Sequence, residues 1–198
     1  MAHSNLLPGF NDPVDDAQRV FRATLAALSR PARPTGLPAT LCEAPAPLMP
    51  TAASVLLALV DYETPLWLDT AADRPEVREF LRFHCGCTLA ARPDEAAFAL
   101  IADAAAMPPL SSFAHGSHEY PDRSTTLVIQ VPGLTEGTGW RFAGPGIHGT
   151  SSIEIGGLPA AFREQLAANH AGFPLGVDLL FVCGNRIAGL PRSSRLED

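Results

Sequence analysis

A chain of 198 residues that is 46% hydrophobic and 18% charged holds enough apolar material for a sizeable core, which excludes a disordered or fibrous protein. Its net charge of −7 and pI near 5.3 exclude the broad basic face that a nucleic-acid backbone demands. They leave room for one nucleotide held by a local arginine or a helix N-terminus.

The first helix is predicted to start at Pro13, capped by Asn11 or Asp12, with Asp15 and Asp16 favouring its positive end. Val14, Ala17, Phe21, Leu25 and Leu28 are spaced to share one narrow face, and Pro31 and Pro34 end the helix. A second helix is predicted from Thr51 towards Tyr62, apolar on nearly all sides and therefore buried. Pro65 stops it, and Leu66-Trp67-Leu68 reads as a buried strand. Arg74-Pro75-Glu76 opens a third helix with Val77, Phe80, Leu81 and His84 on one face.

Beyond Gly86 the pattern changes to strands. Cys87 to Leu89, Ala97 to Ile101 and Thr125 to Val131 qualify by their β-branched and apolar content. Gly139 to Phe142 and Ser151 to Ile155 read as short strands around a glycine-rich turn. Pro159 to His170 reads as a fourth helix with Leu166 on its buried side. Val177 to Cys183 and Arg186 to Leu190 flank Gly184-Asn185 as a hairpin. The expected fold class is α/β, a mixed sheet flanked by helices in one domain over residues 1–198.

Met1 to Phe10 lacks the pattern of a signal peptide, and the apolar run Val55 to Val60 is too short to cross a bilayer. The expected location is therefore the cytoplasm, with no membrane or nucleic-acid partner, and there Cys42, Cys85, Cys87 and Cys183 are expected as reduced thiols.

Several motifs invite chemistry. Gly144-Pro145-Gly146-Ile147-His148-Gly149 matches G-x-G-x-x-G, but a dinucleotide site needs a following helix and Thr150 to Ile155 favours a strand. A tight turn is the plain reading, and a backbone-amide contact to an anion or a partner subunit is the alternative. His84-Cys85-Gly86-Cys87 places three soft ligands together, short of the four in a closed zinc site, so no metal is expected. His115-Gly116-Ser117-His118 lies in a polar loop without a helical ligand frame. Arginine is more suggestive, because its fork suits phosphate and phosphonate. All 14 basic residues are arginine, so arginine also fills every ordinary surface role.

The segment Phe173-Pro174-Leu175-Gly176-Val177-Asp178-Leu179-Leu180, followed by Cys183-Gly184 and Leu190-Pro191-Arg192, resembles the end of the H subunit of the bacterial carbon–phosphorus lyase system. Phe21-Arg22, Thr51 to Leu57, Thr64 to Leu68, Leu81 to His84 and Gly144 to Ile147 agree with that family in order. The resemblance implies a homodimer built into a core complex with G, I and J subunits in alkylphosphonate use. That complex joins methylphosphonate to the ribose of ATP and releases adenine, with I as the catalytic component, H in support and J breaking the carbon–phosphorus bond later. It also implies a fold similar to a reduced pyridoxal-phosphate-dependent transferase. A chain without lysine cannot form that cofactor's Schiff base, so no cofactor is expected.

The expectation is an accessory subunit without a catalytic residue of its own. The alternative is a subunit whose arginines hold ATP or alkylphosphonate. The candidate ligand- or partner-binding residues are Arg22, Gly144, Gly146, Asp178, Arg186 and Arg192.

Overall fold

The computed structural model describes residues 6–38 and 41–197. In chain order it forms α1 (Pro13–Ser29), β1 (Thr35–Gly36), α2 (Pro50–Leu59), β2 (Leu66–Leu68), α3 (Pro75–Cys85) and β3 (Phe98–Ile101). Then follow β4 (Thr126–Gln130), β5 (Leu134–Ala143), β6 (Ser151–Ile155), α4 (Phe162–Ala171), β7 (Asp178–Cys183), β8 (Arg186–Leu190) and β9 (Arg195–Glu197).

Six strands make a mixed sheet in the order β1-β8-β7-β4-β3-β2, and β6-β5-β9 make a second, smaller sheet. Strands β2, β3, β4 and β7 run parallel, and β8 and β1 add antiparallel pairs at one edge. Side chains alternate across a strand, so each central strand feeds two cores. Leu100, Val128, Leu180 and Val182 face α1, α2 and α3. Ile101, Leu127, Ile129, Leu179 and Phe181 face α4 and the smaller sheet. Each such side chain, fully buried, contributes roughly 1.5–3 kcal/mol. The mixed sheet with helices on both faces is therefore as the sequence implies.

Asp12 caps α1, accepting from the backbone N–H of Val14 at 3.1 Å and Asp15 at 3.0 Å, with Pro13 at the first position. The narrow apolar face read from the sequence is not the face that α1 buries. Val20, Thr24 and Ala27 are buried, whereas Val14 is 78%, Phe21 51% and Leu25 55% exposed. The reason is close approach to β8, where a Cβ on Gly189 would stand 2.6 Å from the Ala27 carbonyl oxygen. Only small side chains fit that seam, and the larger apolar ones turn outward.

Helix α2 is buried from Thr51 to Leu56, as its all-round apolar sequence requires, but it stops at Leu59 rather than Tyr62. Cys87 to Leu89 makes only an isolated bridge, Leu66 to Leu89, instead of a strand. Among the described residues no helix is long and apolar enough to cross a membrane.

Candidate functional site

Two polar residues without an obvious structural reason in the sequence, Asp178 and Arg192, meet in the structure. Asp178 opens β7, and Arg192 follows β8 through Pro191, so the hairpin brings them together. The Arg192 Nε donates to Asp178 Oδ1 at 3.1 Å, and Nη2 donates to Oδ2 at 2.5 Å. The Arg192 backbone N–H donates to the same Oδ1 at 2.9 Å. Arg192 Nη1 donates to the Pro121 carbonyl at 2.5 Å, and Nη2 also donates to the Ser124 hydroxyl. The guanidinium therefore ties the loop before β4 to the start of β7. Four of its five N–H groups serve this purpose, leaving little of the fork for an incoming anion.

Beside the pair lies a shallow slot of about 350 Å³, lined by the rings of Pro121, Phe173, Pro174 and Pro191 and by Asp122, Asp178, Arg192 and Ser193. Phe173 is exposed at its rim, and Arg123 stacks 4.1 Å over the Tyr120 ring nearby in sequence. The arrangement suits an apolar or aromatic group better than a free phosphate.

Gly144 and Gly146 belong to the β5–β6 turn, whose φ values of 137° and 81° suit glycine. A Cβ on Gly144 would lie 2.8 Å from the Ser193 carbonyl oxygen, and one on Gly146 would lie 2.1 Å from that of Ser29. The loop seats the end of α1 and backs onto the slot's Ser193. The residues after it form β6, the strand expected from Ser151 to Ile155, and not the helix of a dinucleotide site. Arg186 sits at the opposite end of the β7–β8 hairpin, donating Nη2 to the Leu134 carbonyl at 2.7 Å. Arg22 is exposed on α1. The structure thus joins Asp178 to Arg192, sets Gly144 against the adjacent Ser193, seats Gly146 on the end of α1 and puts Arg186 at the far end of the hairpin.

A second hollow, of about 360 Å³, opens where β2 and β3 end, lined by Trp67, Asp69, Thr70, Arg74, Asp103 and Pro108 among others. The C-terminal ends of parallel strands are where open α/β sheets receive ligands. Buried Asp69 organises this end, accepting from the N–H of Ala72 at 2.7 Å and of Ala102 and Asp103 at 2.9 Å each. Arg74 donates Nε to the Ala71 carbonyl at 3.3 Å. Nearby, Arg78 hydrogen-bonds Asp73 and holds its carboxyl below the usual value of 3.8. Sequence reasoning missed this hollow. Its one local signal is an aspartate directly after a strand and shortly before a proline-started helix.

The thiol and imidazole motifs resolve into packing. His84 turns its Nε2 to the Leu7 carbonyl at 3.0 Å and packs on Phe80, with ring centroids 4.6 Å apart. Cys85 and Cys87 are buried, their thiols donating to the carbonyls of Leu56 and Leu81, and the interaction between the two sulfurs raises the Cys85 thiol, aided by burial, while lowering Cys87. His115 places Nε2 3.0 Å from the Leu110 carbonyl oxygen. Among the described residues no three His, Cys, Asp or Glu side chains gather as a metal site would need.

The family described as "Bacterial phosphonate metabolism protein (PhnH)" matches residues 8–197. A relative from Rhizobium meliloti (strain 1021), alpha-D-ribose 1-methylphosphonate 5-triphosphate synthase subunit PhnH, is 40% identical over 197 residues. That alignment covers 99% of this chain and 98% of the relative. A putative C-P lyase subunit protein, HtxG, from Stutzerimonas stutzeri is 37% identical over 81 residues, 41% of this chain and 42% of its own length. With a match along nearly its whole length, the chain belongs to the PhnH family of bacterial phosphonate metabolism proteins.

Proposed function

We propose that this chain is an accessory subunit of the carbon–phosphorus lyase core complex. In that role it supports the synthase that makes ribose 1-methylphosphonate 5-triphosphate from ATP and methylphosphonate. It assembles as a homodimer with G, I and J subunits in the cytoplasm, residues 1–198 acting as one domain within a transferase assembly. The observation that carries this reading is the full-length likeness to a synthase subunit. The exposed Phe21 and Leu25 on α1 support it, since large apolar side chains left in water on one helix face suit an assembly surface.

The finer fold likeness, to a reduced pyridoxal-phosphate-dependent transferase, is proposed as kinship of architecture. The parallel strands at the sheet's centre and the helices on both faces support it. Without lysine the chain forms no Schiff base, so the kinship carries no aldehyde chemistry.

Co-expression of the tagged chain with G, I and J subunits, followed by affinity capture, tests the assignment. Stoichiometric co-purification is expected, and capture of the tagged chain alone sinks it. A second reading has arginines holding ATP or alkylphosphonate, favoured by Arg74 on the hollow at the ends of β2 and β3. Calorimetric titration with ATP and with methylphosphonate, repeated on Arg74→Ala, decides it. No heat at millimolar ligand removes that reading.

A further inference from the structure

The hollow at the carboxyl ends of β2 and β3 follows from topology. The chain leaving β2 runs to α3, whose Val77, Phe80 and Leu81 pack into the core on one face of the sheet. The chain leaving β3 crosses to the other face, where Ala104, Met107, Leu110 and Phe113 join the opposite core. Neighbouring parallel strands whose following connections part to opposite faces leave a crevice between them. Folding shapes this one with Asp69, whose two carboxylate oxygens are spent on three backbone N–H groups. The other polar groups on its walls have little such work. Arg74 donates only Nε, to the Ala71 carbonyl at 3.3 Å, and Asp103 accepts only at Oδ1, from the Ala105 N–H at 3.1 Å. Among the described residues, Arg74 Nη1 and Nη2, Asp103 Oδ2 and the Thr70 hydroxyl have no hydrogen-bond partner. The fork of Arg192, by contrast, is spent on the fold.

We infer that this crevice holds a nucleoside phosphate, with its base on Trp67, its ribose hydroxyls at Asp103 and one phosphate at Arg74. The inference rests on the arginine reading given above and chooses between its ligands. Trp67 is half-buried, and Phe113 meets it at a ring-centroid distance of 5.7 Å and an angle of 78°. No ring of the described residues stacks flat on it. With Pro108 beside it, the indole offers an apolar platform to a planar base. An ionised carboxylate only accepts hydrogen bonds, so the free oxygen of Asp103 calls for a donor, and ribose hydroxyls supply one. Arg74, with both terminal nitrogens free, offers the two-point contact that suits a phosphate. The walls carry two carboxylates, Asp69 and Asp103, against one guanidinium, so a small free dianion meets net repulsion there. Methylphosphonate would also leave most of the hollow's 360 Å³ empty and Trp67 uncovered. A nucleoside phosphate keeps its charge at the Arg74 end and turns uncharged donors towards the acid.

Fluorescence of the full chain carrying Trp140→Phe, which leaves Trp67 as its one indole, supplies the test. Adenosine 5′-monophosphate and adenosine are expected to quench it saturably at millimolar concentration or below. Ribose 5-phosphate, inorganic phosphate and methylphosphonate are expected not to. The 2′-deoxy monophosphate is expected to bind about tenfold more weakly, because one hydrogen bond to a charged group is lost. Arg74→Ala is expected to weaken the monophosphate about tenfold and adenosine less than about twofold. Asp103→Asn is expected to bring the ribose preference below about threefold. No saturable quenching by either nucleoside form, equal quenching by methylphosphonate, or equal affinity for the ribose and deoxyribose forms overturns the assignment. So does binding that both Arg74→Ala and Asp103→Asn leave unchanged. Calorimetric heat with ATP that is lost in Arg74→Ala, without these nucleoside effects, overturns the nucleoside site and leaves the arginine reading standing. Absence of heat with ATP as well removes both, and co-purification with G, I and J subunits judges the accessory role separately.

Discussion

The Arg192 guanidinium grips the Asp178 carboxylate at two points, and the two side chains are only 14% and 22% exposed. The same guanidinium reaches the Pro121 carbonyl and the Ser124 hydroxyl, so one side chain holds the loop before β4, the start of β7 and the segment after β8. Removing one partner of a half-buried pair leaves the other without its counter-charge, which costs more than the pair contributes over an apolar replacement.

Arg192→Ala is therefore expected to lower unfolding free energy by about 2–4 kcal/mol, less than a fully buried pair because both groups keep some water. Arg192→Lys is expected to recover less than half of this loss, since an ammonium cannot match a planar two-point contact. Urea unfolding of the three proteins checks the order. Equal stability of all three would show that the clamp is ornamental to folding.

The β5–β6 turn offers an internal comparison. Gly146→Ala forces a Cβ to within 2.1 Å of the Ser29 carbonyl oxygen at a φ of 81°, whereas Gly149→Ala, at a φ of 72°, meets nothing within 4 Å. The second substitution is expected to cost about 1 kcal/mol, the left-handed backbone alone. The first is expected to cost about 2–5 kcal/mol, because backbone must move at the end of α1 as well. Thermal melts distinguish them. Equal losses would mean that the turn does not seat the helix.

Much of the fold was legible where local chemistry and tertiary structure agree. Asp12 and Pro13 start α1, Ser151 to Ile155 forms β6, and Gly184-Asn185 turns β7 into β8. Legibility failed where distant backbone decided the outcome. Which face α1 buries depends on Gly189, far along the chain, so helical spacing alone chose the wrong stripe. The first half of β5 escaped because Glu136 and Trp140 both pair with Ile153, and the bulge between them breaks any alternation. β1 and β9 are two and three residues long, too short to show a period.

The polar neighbourhood was legible only in part. The sequence offers Asp178 and Arg192 as candidate residues at the open end of the β7–β8 hairpin, and they meet. Ser124 and Pro121, which complete the clamp, lie 68 and 71 residues away from Arg192, beyond any local pattern. The hollow around Asp69 was hidden for the same reason, since Asp103, whose N–H bonds Asp69, is 34 residues on.

The four thiols are expected to separate by exposure. Cys42, Cys85 and Cys87 are buried, and Cys183 is half-exposed at the end of β7. Burial raises the Cys42 thiol although Ser54 hydrogen-bonds it. At pH 8 a disulfide reagent such as DTNB is expected to label Cys183 quickly and the other three at rates set by opening of the fold. Cys183→Ser should abolish the fast phase. Two or more fast thiols in that variant would mean that the Cys85–Cys87 corner opens readily.

Asp73 and Arg78 give the clearest dependence on pH. Hydrogen bonds from Arg78, aided by its charge, hold the Asp73 carboxyl below the ordinary 3.8. A carboxyl depressed in the folded state binds its proton more weakly there than in the unfolded chain. Its stabilising contribution is therefore complete above the unfolded value of 3.8 and lost as pH falls through the lower folded value. The pair is exposed, with 46% and 36% of the two side chains open to water, so the contribution is small and screened by salt. In Arg78→Ala the Asp73 carboxyl is expected to titrate at higher pH, and the stability gap from wild type to close below the acid range. Carboxyl carbon NMR titration reads the first effect and acid unfolding the second. An unmoved Asp73 titration would show that the contact does not persist in solution.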